Sequence, residues 1–473
     1  VRPYKEGEKI MEKKDQRHEA LLRSPKNGYD TLNAEETKKM DELCEDYRTF
    51  LDDSMTEREA VKATIAIAEK HGFKLFVPGE SYQAGDKIYA DNRGKAMILA
   101  IIGKQSMETG FNLIAAHIDT PRLDLKPNPL YEADGLAYFK THYYGGIKKY
   151  QWTALPLALM GVVYDRQGKQ IDIKIGFDAV DPVLYITDLL PHLAKDQMKK
   201  SMTEGIAGEE LNALIASKPD SEEGKDRVKL AVMELLNQKY GITECDFQTA
   251  ELSLVPALSA RYVGLDSSMI GAYGHDDRVC SYAALQALLD LQEVPEKTAL
   301  VLLADKEEIG SEGVTGMKSA HFDWFVNGLC KPNNISLFDC YANSFCVSAD
   351  VSNAYDPTFA GVSEKNNSAM LNHGIAVCKY TGRGGKGGAS DASAEVMSKL
   401  RGMFDKANVL WQMAELGKVD QGGGGTVAAY LAERNIDIVD AGVPVLSMHA
   451  PFELVGKLDV FMAYKAYGAV LAS

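Results

Sequence analysis

The chain has no pair of cysteines in Cys-x-x-Cys spacing. Its seven Cys stand at 44, 245, 280, 330, 340, 346 and 378, most of them in apolar runs. An odd count without paired spacing argues against a disulfide framework and reads as reduced, buried thiols of a cytoplasmic protein. Apolar runs of the roughly 18 residues that a membrane span needs are missing, so no span is expected. Long Lys/Arg blocks are missing as well. With 52 basic and 67 acidic residues the formal charge is −15, which argues against a nucleic-acid partner, since phosphates call for a basic face. The 41 Gly and 16 Pro follow no triplet period, which excludes a collagen-like chain. The first 17 residues are charged and lack an apolar stretch, so no signal peptide is expected. A first residue of Val rather than Met reads as a trimmed start.

What is present is globular. The hydrophobic fraction is 45% and the charged fraction 25%, enough to bury a core and to exclude wholesale disorder. The N-terminal 75 residues read as mostly helical, with amphipathic stretches over Glu35–Leu51 and Thr56–His71, the second stopped by Gly72. From Lys95 short apolar runs alternate with helical ones: Ala96–Ile102, Phe111–Ala116, Leu300–Ala304, Ser344–Ala349, Ile375–Tyr380 and Val443–Met448 as strands, and Val279–Gln292, Glu395–Leu416 and Val427–Arg434 as helices. Runs apolar on both faces suit central strands covered by helices, so an α/β domain with a mixed central sheet is expected. The stretch 128–253 differs. It is rich in Tyr and alternates polar with apolar positions, with a hairpin signal from Val162–Tyr164 through Asp165–Gly168 to Ile171–Ile175 and a polar loop over 201–226. It reads as a β-rich domain inserted into a discontinuous catalytic domain made of 1–127 and 254–473.

Chemistry-bearing residues follow the apolar runs. His117-Ile118-Asp119 comes after the run 111–116, Glu307-Glu308 after 300–304, Asp350 after 344–349 and His449 after 443–448, while His275-Asp276-Asp277-Arg278 follows Ala272-Tyr273-Gly274. In open α/β sheets the ligand crevice lies outside the carboxyl ends of the strands, so these separate stretches are expected to converge. Two His and three carboxylates suit a pair of divalent cations with positions left open for water and substrate. A water made acidic by the metals is then the nucleophile, and a carboxylate beside a ligand, as in Glu307-Glu308, is placed to act as base. Taken singly, each has a plainer reading: a structural His, a solvated acid pair, or an Asp that caps a helix.

The ordered set resembles the M18 family of metallo-aminopeptidases, which includes aspartyl aminopeptidases and vacuolar aminopeptidase I. His117-Ile118-Asp119-Thr120-Pro121 is similar to the family's His-Thr-Asp-Ser-Pro, with Lys126-Pro127 behind it. His275-Asp276-Asp277-Arg278, running into Ala284–Leu288, is similar to Leu-Asp-Asn and its helix, and Asp305-Lys306-Glu307-Glu308-Ile309-Gly310-Ser311 to Asp-Asn-Glu-Glu-Val-Gly-Ser. Ser348-Ala349-Asp350-Val351 and Ser447-Met448-His449 match the later Asp and Met-His motifs. The matches keep their order over about residues 95–460. The resemblance implies that Asp276 bridges two metals, with His117 and Asp350 completing one site and Glu308 and His449 the other. It implies Glu307 as general base and Asp119 as the carboxylate orienting His117. Zinc is the expected metal, with cobalt and manganese as alternatives. The resemblance further implies that the inserted domain drives dimerisation, that dimers gather into dodecamers, and that His192, in Pro191-His192-Leu193, enters a neighbouring subunit's site. Two motifs depart from the pattern: Asn353-Ala354-Tyr355-Asp356-Pro357 replaces His-Ala-x-x-Pro, and Ala450-Pro451-Phe452-Glu453 replaces Ser-x-Arg-Glu. Both border the substrate pocket, so an acidic N-terminal residue is not implied as the best substrate.

Two glycine tracts remain. Thr381–Ala389 lacks the Lys-[Ser/Thr] ending of a phosphate loop, since Gly387 follows Lys386. It reads as a flexible loop at the active site from which Lys386 touches substrate. Gln421–Gly425 reads as a mobile turn, with close backbone approach to a peptide as the alternative. The sequence thus points to an aminopeptidase that releases N-terminal residues from peptides. Its rivals are a deacylase or carboxypeptidase on the same fold, and a non-catalytic scaffold.

Overall fold

The computed structural model describes residue 17 and residues 21–23, 25–178 and 180–473. The signal-peptide expectation for residues 1–17 therefore falls almost wholly outside the described residues. Among these residues, no helix is long and apolar enough to cross a membrane.

A nine-stranded mixed sheet carries the site. In spatial order its strands are Lys74–Leu75, Lys87–Asn92, Ala96–Ile101, Thr298–Ala304, Phe111–His117, Phe345–Ser348, Asp437–Gly442, Ile375–Cys378 and Trp411–Met413. The middle four, from Thr298–Ala304 to Asp437–Gly442, run parallel. Thr298–Ala304 and Phe111–His117 are buried at every position, because helices cover both faces. One face packs on the helices Ala34–Asp53, Glu57–Lys70, His275–Leu289, Ala394–Lys406 and Lys457–Leu471, through residues such as Tyr47, Leu285 and Phe461. The other packs on His321–Cys330, Leu337–Ala342 and Ala428–Ala432, through Phe325, Tyr341 and Leu431. The first long helix begins at a capping box in which Asn33 Oδ1 accepts the Glu36 N–H and Glu36 accepts the Asn33 N–H, an arrangement worth about 1 kcal/mol.

Two expectations need correction here. Val443–Met448 is not a central strand. The central position belongs to Asp437–Gly442, and Pro444–Leu446 pairs instead in a separate five-stranded sheet with Glu453–Gly456 and Ser352–Asn353. Asp437 and Asp440 interrupt the apolar reading of the true strand, although Asp440 is buried and bonded to Thr426 at 2.6 Å. The helix expected over Glu395–Leu416 ends at Lys406. Asn408 takes a left-handed φ of 52°, and Trp411–Met413 then joins the sheet edge.

Between the first strands and the rest lies an antiparallel ring: Arg122–Ala133, Leu136–Tyr144, Ala213–Ala216, Leu184–Tyr185, Pro156–Tyr164 and Ala250–Pro256, with the last two paired to close it. Closure removes the edges that an open sheet would expose. Gln170–Ile175 pairs with Pro156–Tyr164 as the expected hairpin, Tyr164 opposite Gln170, and Asp165 Oδ1 accepts the Gln167 and Lys169 N–H groups in the turn. The ring's strands run from Arg122 to Pro256, a little beyond the expected 128–253 at each end. The chain passes from the Phe111–His117 strand into the ring across Ile118–Pro121, with no loop to mark the change. Within the expected loop 201–226 the structure has a strand, Ala213–Ala216, too short for its pattern to register. A helix, Arg227–Tyr240, buries Val228, Val232 and Leu236; that i, i+4, i+8 stripe is its sequence signal.

Candidate metal centre

The carboxyl ends of the parallel strands and the start of the His275–Leu289 helix meet at one place. Asp276 lies at the centre. Its Oδ1 is 3.1 Å from His117 Nε2 and its Oδ2 is 3.1 Å from His449 Nε2. His117 Nε2 is also 3.8 Å from Asp350 Oδ1, and His449 Nε2 is 3.5 Å from Glu308 Oε2. The ligating atoms of His117, Glu307 and Asp350 lie within 4.8 Å of one another, as do those of His117, Asp276 and Glu308. The Asp276 and Asp277 backbones are non-helical and regular helix follows them; the Asp276 oxygens face the two histidines.

Both imidazoles are held with Nε2 facing the carboxylates. His449 Nδ1 is 2.9 Å from the Gly146 carbonyl, and His117 Nδ1 is 3.0 Å from the Asp119 carbonyl. A carbonyl only accepts, so each Nδ1 carries a hydrogen, which leaves each Nε2, facing Asp276, as the nitrogen able to give a lone pair to a cation that displaces its proton. The Asp119 carboxylate stands behind His117, with Oδ1 3.3 Å from Nδ1. The same carboxylate accepts the backbone N–H of Glu307 at 3.0 Å, that of Glu308 at 3.1 Å, and the Tyr144 hydroxyl at 2.8 Å. It is fully buried; burial pushes its pKa up, but the His117 ring above all, with the Tyr144 hydroxyl and the Arg122 charge, holds it below the usual carboxylate range.

A residue the sequence reading passed over as part of a departing motif has a comparable place. Glu453 is fully buried, and its two oxygens accept the backbone N–H groups of Asp276 at 3.0 Å and His449 at 2.6 Å. His449 takes a left-handed φ of 64°, costly for a side chain of its size, and the Glu453 bond helps hold it there. Its sequence signals are its four-residue separation from His449 and its match to the Glu of Ser-x-Arg-Glu.

The electrostatics fit a cationic occupant. Burial pushes the Glu307 carboxyl up to about 7 and Glu308 and Asp350 well above the carboxylate range. Burial works against charge on His449 too, but hydrogen bonding to Asp276 and the nearby negative charge of Glu308 raise it to about 11. Glu308 Oε1 is buried with no hydrogen-bond partner. Crowded carboxylates that hold protons, and an orphaned carboxylate oxygen beside the two histidines, are what a divalent cation relieves.

The cluster opens into a cavity of about 550 Å³ lined by Asp276, Glu307, Glu308, Asp350 and His449 and walled by both glycine tracts. Lys386 is on that wall, paired with Asp391 at 3.2 Å and stacked over Tyr380 at 3.8 Å. His192 is exposed and is not among the residues lining this cavity. The second tract is not a free turn. Gly424 accepts the Gly382 N–H at 2.7 Å, and a Cβ on Gly423 would meet Gly382 O at 2.0 Å. Its backbone approaches the first tract closely, and both tracts line the cavity.

Residues 50–470 match the family model for the aminopeptidase I zinc metalloproteases, M18. The chain belongs to the M18 family. A probable M18 family aminopeptidase 1 of Clostridium acetobutylicum is 46% identical over 95% of this chain and 99% of its own length. The crystal structure of an M18 aminopeptidase from Thermotoga maritima superposes with a TM-score of 0.91 at 41% identity, covering 95% of this chain and 99% of its own. The yeast mApe1 dodecamer shares the fold at 22% identity, with a TM-score of 0.75, over 91% of this chain and 96% of its own. This M18 chain is therefore a metal-dependent aminopeptidase, with the mixed α/β fold expected from its sequence.

Proposed function

We propose that this M18 chain holds two divalent cations and releases the N-terminal residue of peptides with Glu307 as general base. The observation that carries this reading is the divided carboxylate of Asp276, whose two oxygens face different histidines at 3.1 Å each. In it, Asp276 is shared, His117 and Asp350 complete one site, and Glu308 and His449 complete the other. Zinc fits this mixed nitrogen and oxygen donor set, and cobalt and manganese are the alternatives. Two bound cations supply Lewis-acid polarisation of the scissile carbonyl and acidify water.

The chain's own residues do the rest. Glu307, raised to about 7, takes a proton from the attacking water and passes it to the leaving amine. Asp119 fixes the His117 ring and, through two backbone bonds, the Glu307-Glu308 turn. Lys386 and the glycine tracts on the cavity wall contact the substrate backbone or side chain. The inserted 128–253 domain serves dimerisation, and His192 on it reaches a neighbouring subunit's site in a dodecamer-type assembly. Cytoplasmic residence agrees with the buried thiols Cys44, Cys280, Cys330, Cys340 and Cys346.

The test combines elemental analysis with product analysis on one peptide. Two equivalents of metal and release of the N-terminal residue support the reading. C-terminal release points to a carboxypeptidase instead, and no metal uptake points to a scaffold.

A further inference from the structure

Three consecutive residues of the inserted ring reach behind both histidines of the centre, His449 directly and His117 through Asp119. The ring strand Leu136–Tyr144 ends in Tyr144-Gly145-Gly146. Tyr144 donates its hydroxyl to Asp119 Oδ2 at 2.8 Å, behind His117, and the Gly146 carbonyl accepts from His449 Nδ1 at 2.9 Å. Gly145 passes so close that a Cβ there would lie 3.3 Å from Glu308 Oε2, and its φ of 75° suits glycine.

The segment is fixed at both ends. Tyr144 is buried and stands opposite Arg122 in the strand register, with the guanidinium 4.2 Å from its ring centroid. Arg122 is locked in turn to Glu57 and Asp124, each at 2.8 Å. Beyond the glycines the chain turns through Lys149–Trp152. Trp152 is fully buried and packs edge-on to Tyr273, whose hydroxyl bonds the Pro121 carbonyl at 2.9 Å.

From this we infer that the Tyr144–Gly146 segment is a positioning element for the centre, through which the inserted ring sets the orientation of both ligand histidines within its own subunit. Tyr144 acts through Asp119 on His117 and on the Glu307-Glu308 turn; Gly146 acts on the His449 tautomer. The inserted domain thus does more than offer a surface for assembly. The inference rests on the two-cation reading above. A hydrogen-bonded partner behind a ligand His commonly changes metal affinity about 10–100-fold.

The experiment compares wild type, Tyr144→Phe and Tyr143→Phe, the last altering an exposed neighbour, by zinc titration calorimetry and thermal melts of the metal-free protein. Wild type that binds fewer than two zinc ions refutes the two-cation reading itself. With two ions bound by wild type, we expect Tyr144→Phe to weaken zinc binding about 10–100-fold, more at one site than the other, while Tyr143→Phe binds as wild type. Tyr144→Phe with unchanged zinc affinity at both sites, or with loss confined to the melting temperature, overturns the inference. Should Tyr144→Phe not fold, 3-fluorotyrosine at 144 keeps the shape and makes the phenol a stronger donor. A shifted zinc affinity then supports the role, and an unchanged one overturns it.

Discussion

The carboxylate of Asp119 accepts the backbone N–H of Glu307 at 3.0 Å, although 188 positions separate them in the chain. One buried acid thus fixes the peptide plane that carries the proposed base, while its second oxygen takes the Glu308 N–H at 3.1 Å. The base and its neighbour owe their direction to a residue that touches neither side chain.

Asp119→Asn keeps the volume but turns an NH₂ toward one of these N–H groups. Zinc affinity is expected to fall about 10–100-fold, with kcat falling alongside. Chelator competition and steady-state kinetics on a folded variant check this; wild-type values for both would remove Asp119 from its orienting role.

Glu307→Gln removes the proton acceptor with little change of shape. A kcat lower by about 10²–10⁴-fold is expected, with metal content at the wild-type level. Loss of bound metal along with activity would instead make Glu307 a ligand, which its closeness to His117 and Asp350 permits.

The buried His275 offers a pH test away from the cavity. Its Nδ1 receives the Tyr47 hydroxyl at 2.8 Å and its Nε2 faces the Ile270 carbonyl at 3.1 Å, so the neutral ring satisfies both contacts. Burial lowers its pKa from 6.5 to about 3. Between these values the unfolded chain binds the proton and the folded one does not, so stability rises with pH across that window. Its contribution is complete above about 6.5 and is lost on acidification toward about 3. His275→Gln, able to keep both bonds, is expected to flatten the dependence of Tm on pH between those limits; an unchanged slope would refute this.

Gly423→Ala sets a Cβ against Gly382 O at 2.0 Å, at a φ of 118°. The two glycine tracts must then part at the cavity wall. A raised KM with bound metal unchanged is the expected result, read from kinetics and metal content; an unaltered KM would mean that this wall does not meet the substrate.

Much of the site was legible before any coordinates, for a physical reason. Central strands of a covered sheet are apolar on both faces, so His117, Glu307, Glu308 and Asp350 stand out where apolar runs stop, and strand ends converge in a parallel arrangement. The same logic misfired at Val443–Met448. The true central strand, Asp437–Gly442, carries Asp440, which is buried but bonded to Thr426, and that bond is not written in the local pattern. Helix Arg227–Tyr240 carries a local signal in its four-residue stripe Val228, Val232 and Leu236, whereas Ala213–Ala216 is too short to carry a pattern.

By itself, then, the sequence determined the alternation that makes a layered α/β body and the residue types able to hold cations, because burial and ligand chemistry are properties of short stretches. Only the tertiary structure decided which partners those residues face. Asp276 lies between two histidines, Glu453 holds the backbones of Asp276 and His449, and the ring segment Tyr144–Gly146 bonds His449 and the Asp119 carboxylate behind His117. Apart from the Glu453–His449 bond, such pairings join residues tens to hundreds of positions apart. Hydrogen-bond geometry across that separation depends on how sheet and ring pack, which no local spacing encodes.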